Sequence, residues 1–349
     1  MMTLQTAVAL APFTSIELGG PAAYFVEATS LEAGLESLWW ARKKGVPTFV
    51  LGGGSNLLVP DEGFDGLVLA VRWKGLGSTV SGDAVELRAA AGERWDDVVA
   101  WAVAEGWQGL ECLSGIPGLA GATVVQNVGA YGQDVSETVA AVEVIDCETL
   151  EPRTLSPAEC AFGYRDSVLK RSPGRFLVTA VTFRLQPNGL ATPRYAELAR
   201  VLGGQVAGLG PTREAVLALR RSKSMVFDAH DVNRRSVGSF FTNPVVEAAV
   251  ASDVVRRATA LGLSTVPRWP QPDGRVKLAA GWLVEHAGVE RGLRRGAVGV
   301  SSAHALALVH HGGGTTAELL ELASWVKARV LITFGVELER EAVLLAKPG

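Results

Sequence analysis

Apolar residues along the chain recur with two periods. From Thr29 to Gly45, Leu31, Leu35, Leu38 and Trp39 fall on one helical face, a Thr29-x-x-Glu32 box opens the segment, and Gly45 closes it. The short run PTFVL then reads as a strand, followed by the glycine turn GGGSN and another apolar strand after DEGFDG. Beyond Trp73, VELRAAAG predicts a strand and Trp95 to Glu105 a helix, and AAVEVID and FLVTAVTFRL predict two strands around FGYRDS. Residues 187 to 211, rich in Pro and Gly, read as a linker or mobile loop before the helix REAVLALRRSKS. The last third predicts a helix from Glu247 to Leu261, a helix over VKLAAGWLVEHAG, and an apolar strand in ALALVHHGGG. A final helix is capped by Thr315-x-x-Glu318 and turns Leu319, Leu322, Val326 and Val330 inward, and the acidic strand GVELEREAVLL ends the pattern.

Short glycine-punctuated strands with a few helices predict an α+β protein, and 349 residues exceed what one core usually supports. With 20% charged residues and a net charge of −3, a nucleic-acid partner is not expected. No apolar run is long enough to cross a bilayer, and no Lys or Arg precedes Arg42, so the expectation is a cytoplasmic protein without a membrane partner. Cys112, Cys147 and Cys160 lack CxxC spacing and read as reduced, structural thiols. His304, His310 and His311 lie along an apolar strand with no carboxylate at metal-ligand spacing, so no metal is expected.

Two glycine loops are the candidates for chemistry. LGGGSNLL, with Gly52, Gly53, Gly54, Ser55, Asn56 and Leu57, could aim backbone N–H groups at a bound group, although a plain strand-turn-strand explains it equally well. It is neither a Walker loop nor a GxGxxG fingerprint, because no Gly-Lys-Ser/Thr follows and Leu57 stands where a glycine is needed. The second loop, GIPGLAGATVVQNVGAYG, carries almost no charge. It must bind through backbone or pack on a flat uncharged surface such as a flavin ring, unless it is a buried crossover.

Six motifs in order, LGGGSNLL, SGIPGLAGATVVQNVGAYGQ, FGYRDSVLK, GSFFTNP, DGRVKLAAGWLVEHAG and VELEREAVLL, resemble the UDP-N-acetylenolpyruvoylglucosamine reductases, within the wider vanillyl-alcohol-oxidase type of flavin-binding domain. The resemblance spans nearly the whole chain. It implies an α+β fold with a two-part FAD-binding domain and a smaller α/β substrate-binding domain: residues 1–73, residues 74–211 rejoined by 332–349, and residues 212–331. It implies non-covalent FAD, NADPH as co-substrate, and reduction of an enolpyruvyl UDP-sugar on the way to peptidoglycan.

By the same resemblance Ser239 is the proton donor, while Arg165 and Glu341 stabilise charge on the substrate carboxylate. A glutamate beside a carboxylate requires a raised pKa. Tyr164, Tyr195, Lys223, Asn243 and His286 are the implied substrate contacts, Tyr195 on a mobile loop over the diphosphate. The implied FAD contacts are the six residues of the first loop together with Ile116, Pro117, Gly118 and Gly121. Gln126, Asn127, Gly129, Ala130 and Tyr131 complete them. Thr14-Ser15, Thr242, His286 and Arg340 depart from the family pattern. An oxidase of the same flavin type, or a silent flavin-binding module, are the competing readings. The first lacks a His or Cys within GGGSN or GIPG for a covalent flavin, and the intact Ser239, Arg165 and Glu341 weigh against the second.

Overall fold

The structure is a computed structural model, and it describes residues 2–345. A four-stranded sheet holds the first loop, in the order Gln5–Ala9, Pro21–Ala28, Phe64–Val71, Thr48–Leu51. The inner pairs are parallel, so Phe64–Val71 reads as a nearly unbroken apolar strand buried on both faces. The Leu31–Lys44 helix covers it. Its N-cap is Ser30, whose side chain accepts from Ala33 N, rather than Thr29 one residue earlier. Its buried stripe is Ala33, Gly34, Ser37, Leu38 and Ala41, while Trp39, expected inside, is 54% exposed beneath Lys43. Small residues win the inner face because the helix lies close on Trp73: a Cβ on Gly34 would sit 3.2 Å from that ring.

A larger antiparallel sheet follows, ordered Pro152–Leu155, Val139–Asp146, Phe176–Pro187, Ala84–Ala90, Leu76–Ser81. Its core packs Trp95 against Phe183 in a tilted pair, with centroids 5.5 Å apart. The stretch read as a linker contains the short helix Ala196–Val201, and the next helix begins at Leu209, before Arg213, with Gly210 and Pro211 in its first turn where no backbone donor is needed.

The last third has its own core and an antiparallel sheet ordered Ser236–Ser239, Ala307–His310, Val298–Val300, Arg294–Arg295. The helix expected over VKLAAGWLVEHAG divides: Val276–Leu278 is a strand and Ala280–His286 the helix, because Lys277 pairs with Val245 and Trp269 on either side. The Thr316–Phe334 helix has the expected capping box and buries Leu319, Leu322, Val326 and Val330. The C-terminal stretch is strand only at Val343–Leu344, and it pairs in parallel with Leu57–Leu58 of the first region. This stretch, expected to return to the second region, makes this strand pairing with the first; residues 346–349 lie outside the described residues. No helix among the described residues is long and apolar enough to cross a membrane.

Candidate active site

Both glycine loops face one cavity of about 470 Å³ at the meeting of all three regions, a size in the usual range for small-molecule sites. The loops touch through their backbones: a Cβ on Gly53 would come within 2.7 Å of Gly118 Cα. Gly54 has φ +65°, and a Cβ there would strike Phe13 O at 2.0 Å, so glycine is required twice over. Ser55 Oγ donates to Pro117 O at 3.1 Å and Asn56 Nδ2 to Gln126 Oε1 at 2.8 Å, joining one loop to the other.

The same Asn56 Nδ2 reaches Glu341 O at 3.3 Å, and Glu341 N donates to Phe240 O at 2.9 Å. Glu341 is thereby laced to the strand that carries Ser239. Phe240 and Phe241 are fully buried and anchor that strand, while Gly238, at φ +73°, turns it so that Ser239 meets the cavity wall. Arg165 has the left-handed φ of +55°, a strained setting for a long side chain. It is over-determined by its bonds: Nη1 donates to Asn127 O at 3.2 Å, Nη2 to Gly129 O at 2.5 Å, and Nε faces Glu341 Oε1 at 3.3 Å. Burial pushes the Glu341 pKa up, against the opposing pull of Arg165 and Lys170. Burial raises Asp134 likewise, 3.5 Å from Arg165 Nη1. One guanidinium therefore serves two carboxyls whose pKa values burial raises and Arg165 lowers.

Gly52 through Leu57, Ile116, Pro117 and Gly118 line this cavity, and so do Gly121, Gln126 and Gly129. Asn127, Ala130 and Tyr131 do not. Asn127 instead braces the loop, its Nδ2 donating to Gly163 O at 2.9 Å and its Oδ1 accepting from Ser136 N at 3.1 Å. Tyr131 meets Tyr195 edge to face at 5.5 Å beside a separate polar cavity of about 200 Å³. Tyr164 lies under both Arg165 and Lys277, 5.4 and 4.2 Å from its ring. Asn243 Oδ1 accepts from Ala280 N at 2.9 Å, and Lys223 pairs with Glu197.

His286 stands apart from this cluster, stacked at 4.1 Å on Trp282, with Nδ1 against Trp282 O. It is not among the residues that line the cavity. His304 is instead the histidine in the field of Lys223, Arg220 and Glu197; its Nδ1 accepts from Leu306 N at 3.1 Å. Arg220, on the cavity wall, was also missed. Its Nη2 donates to Met225 O at 2.7 Å, but its buried Nε has no hydrogen-bond partner among the described residues. Nothing in the run LRRSKS distinguishes the inward arginine from Arg221; helix rotation decides it. The described residues form no group of three or more His, Cys, Asp or Glu able to hold a metal ion.

Residues 22–149, which include both loops, match the family model described as an FAD binding domain. Residues 230–345 match that of the UDP-N-acetylenolpyruvoylglucosamine reductase C-terminal domain. The reductase of that name from Thermobifida fusca is 48% identical over 345 residues, 97% of each chain. The chain belongs to the UDP-N-acetylenolpyruvoylglucosamine reductase family. The reductase from Saccharopolyspora erythraea is 49% identical over 97% of this chain and 94% of its own. A crystal structure of the reductase from Thermus caldophilus superposes with a TM-score of 0.68 at 24% identity, covering 99% of this chain and all of that one, and shares the fold.

As an FAD-dependent reductase of this family, the chain offers the cofactor a fitting site. Its two glycine loops are uncharged, so Gly52 through Leu57 and Ile116 through Gly118 would offer a flat ring backbone and small or apolar groups. Arg220 Nε, without a partner among the described residues, would be free to donate to a bound group there.

Proposed function

We propose that the chain reduces the enolpyruvyl double bond of UDP-N-acetylglucosamine-enolpyruvate to give UDP-N-acetylmuramate, with NADPH as reductant, in peptidoglycan precursor synthesis. When bound, FAD supplies two-electron storage between NADPH and the sugar nucleotide. The residues of the chain do the rest. Hydride addition at the terminal carbon of the enolpyruvyl group leaves negative charge on its neighbour, delocalised into the carboxylate. The Ser239 hydroxyl gives its proton to that carbon, so H⁻ and H⁺ together add across the double bond. A serine is a weak acid, but the carbanion is a strong base, and a fixed donor at short range suffices.

Arg165 holds the substrate carboxylate and takes up the charge that develops on it. Glu341, whose pKa burial raises, lies beside that carboxylate and, when protonated, donates a hydrogen bond to it. Lys223, Asn243, Tyr195 and Tyr164 bind the nucleotide sugar, the last third of the chain acting as the substrate unit. The observation that carries this reading is the convergence of Ser239, Arg165 and Glu341 on the cavity that both glycine loops line.

The test is anaerobic. The FAD-loaded protein is bleached with NADPH, and UDP-N-acetylglucosamine-enolpyruvate is added. Return of the oxidised flavin absorbance with formation of UDP-N-acetylmuramate is expected; a flavin that stays bleached defeats the proposal.

A further inference from the structure

The loop that carries Tyr195 is moored by its own side chains. Glu197, two residues on, forms an ion pair with Lys223. Tyr195 meets the Tyr131 ring edge to face, and Lys223 Nζ lies 5.9 Å from the centre of that same ring. On the other flank Arg194 pairs with Glu137. Lysine and glutamate side chains are 29% and 27% exposed, so their pair is partly screened and weak enough for a multiply charged ligand to break.

Lys223 is a compact point charge, and in this state Glu197, in the first turn of the short helix that Tyr195 caps, already occupies it. An incoming anion meets both a competitor for the ammonium and a like charge beside it. On His304, Arg220 and Arg291 act with Lys223, and of the groups acting there Glu197 opposes them.

We propose that Glu197 is the resident counter-ion of Lys223, exchanged for the substrate diphosphate on binding, and that this exchange unmoors the Tyr195 loop so that it can settle on the ligand. The proposal rests on the assignment of Lys223 to the diphosphate given above. Glu197 is on this view a positioning residue that holds the empty site neutral and sets how strongly an anion must bind to open it.

Calorimetric titration of the FAD-loaded full chain with UDP tests it, using wild type, Glu197→Gln and Lys223→Ala, with Glu197→Ala in reserve should the amide variant melt early. Removal of the competing carboxylate is expected to tighten UDP binding about two- to fivefold, as suits a partly exposed pair. Lys223→Ala is expected to weaken it. A residue with a merely structural role would not raise affinity on removal. If Lys223→Ala weakens UDP while Glu197→Gln leaves it unchanged or weaker, the counter-ion role is overturned and the diphosphate assignment stands. If Lys223→Ala does not affect UDP, that assignment falls and the exchange falls with it.

Discussion

Single residues at this site act through what holds them. Ser239 would be an ordinary strand serine were Phe240 and Phe241 not buried behind it and Gly238 not turned at φ +73°. Ser239→Ala should leave flavin reduction by NADPH near normal and slow reoxidation by the enolpyruvyl substrate by about 10²-fold or more, measured as two separate half-reactions in stopped flow. Equal slowing of both would reassign the serine. His304 carries a pH signature. Burial first, then Lys223, Arg291 and Arg220, push its pKa down from 6.5 to about 4. A depressed pKa means that the unfolded state takes up the proton first. The stabilising contribution is therefore full above pH 6.5 and is lost as pH falls toward about 4. Over that window it amounts to at most about 3 kcal/mol. His304→Gln should flatten the fall in melting temperature across it; an unchanged slope would show the imidazole to be better solvated than its setting implies.

At the scale of elements, the Thr316–Phe334 helix shows how two signals share one terminus. Thr315 and Glu318 form the box that local spacing announces. Asp61 adds a second acceptor from 255 residues away, its Oδ1 taking Thr316 N at 2.8 Å and its Oδ2 taking Ala317 N at 2.9 Å. A carboxylate at a helix N-terminus is favoured by the orphan N–H groups and the dipole alike. Asp61→Ala should cost about 1 kcal/mol, read by denaturant unfolding at constant m-value. A cost indistinguishable from zero would mean that Thr315 caps the helix alone. The Leu31–Lys44 helix makes the complementary point. Trp39 stays outside while Ala33, Gly34, Ser37 and Ala41 go in with Leu38, because closeness to Trp73 favours small residues where the helix lies on it.

For the whole molecule, the site exists only where three regions meet. The first loop, the second loop and the Ser239 strand each contribute one wall, and the C-terminal stretch threads between them through Glu341 N to Phe240 O and Val343 N to Asn56 O. Glu17 pairs with both Arg234 and Arg235, fastening the first region to the last. A cofactor bound in such a place stabilises the assembly, not one part of it. FAD at a hundredfold excess over its Kd should raise unfolding stability by about 2.7 kcal/mol in a single transition. A split transition, with only residues 22–149 responding, would show that the regions unfold independently.

Local pattern carried much of this. Glycine at 53, 54 and 118 is forced by backbone approach and positive φ, and such needs leave a mark that can be read one segment at a time. The capping box at Thr315, the paired phenylalanines and the order of six motifs are likewise local or sequential facts; from them the α+β class and the flavin-binding character were legible, and the resemblance they carry is what proposes the Ser239, Arg165 and Glu341 set. What the sequence could not decide was rotation and partnership. His286 and His304 are both single histidines beside apolar runs, and only the turn of a helix and the end of a strand put one on Trp282 and the other near Lys223. Arg220 and Arg221 differ by 100° of helix. The strand at Val343–Leu344 had to find Leu57–Leu58 across nearly the whole chain, a choice made by long-range backbone pairing that no window of residues contains. The sequence determined which chemistry this protein carries, because residue type and local conformation are written in place. The tertiary structure alone decided which copy of each group faces the cavity, because facing is a relation between segments.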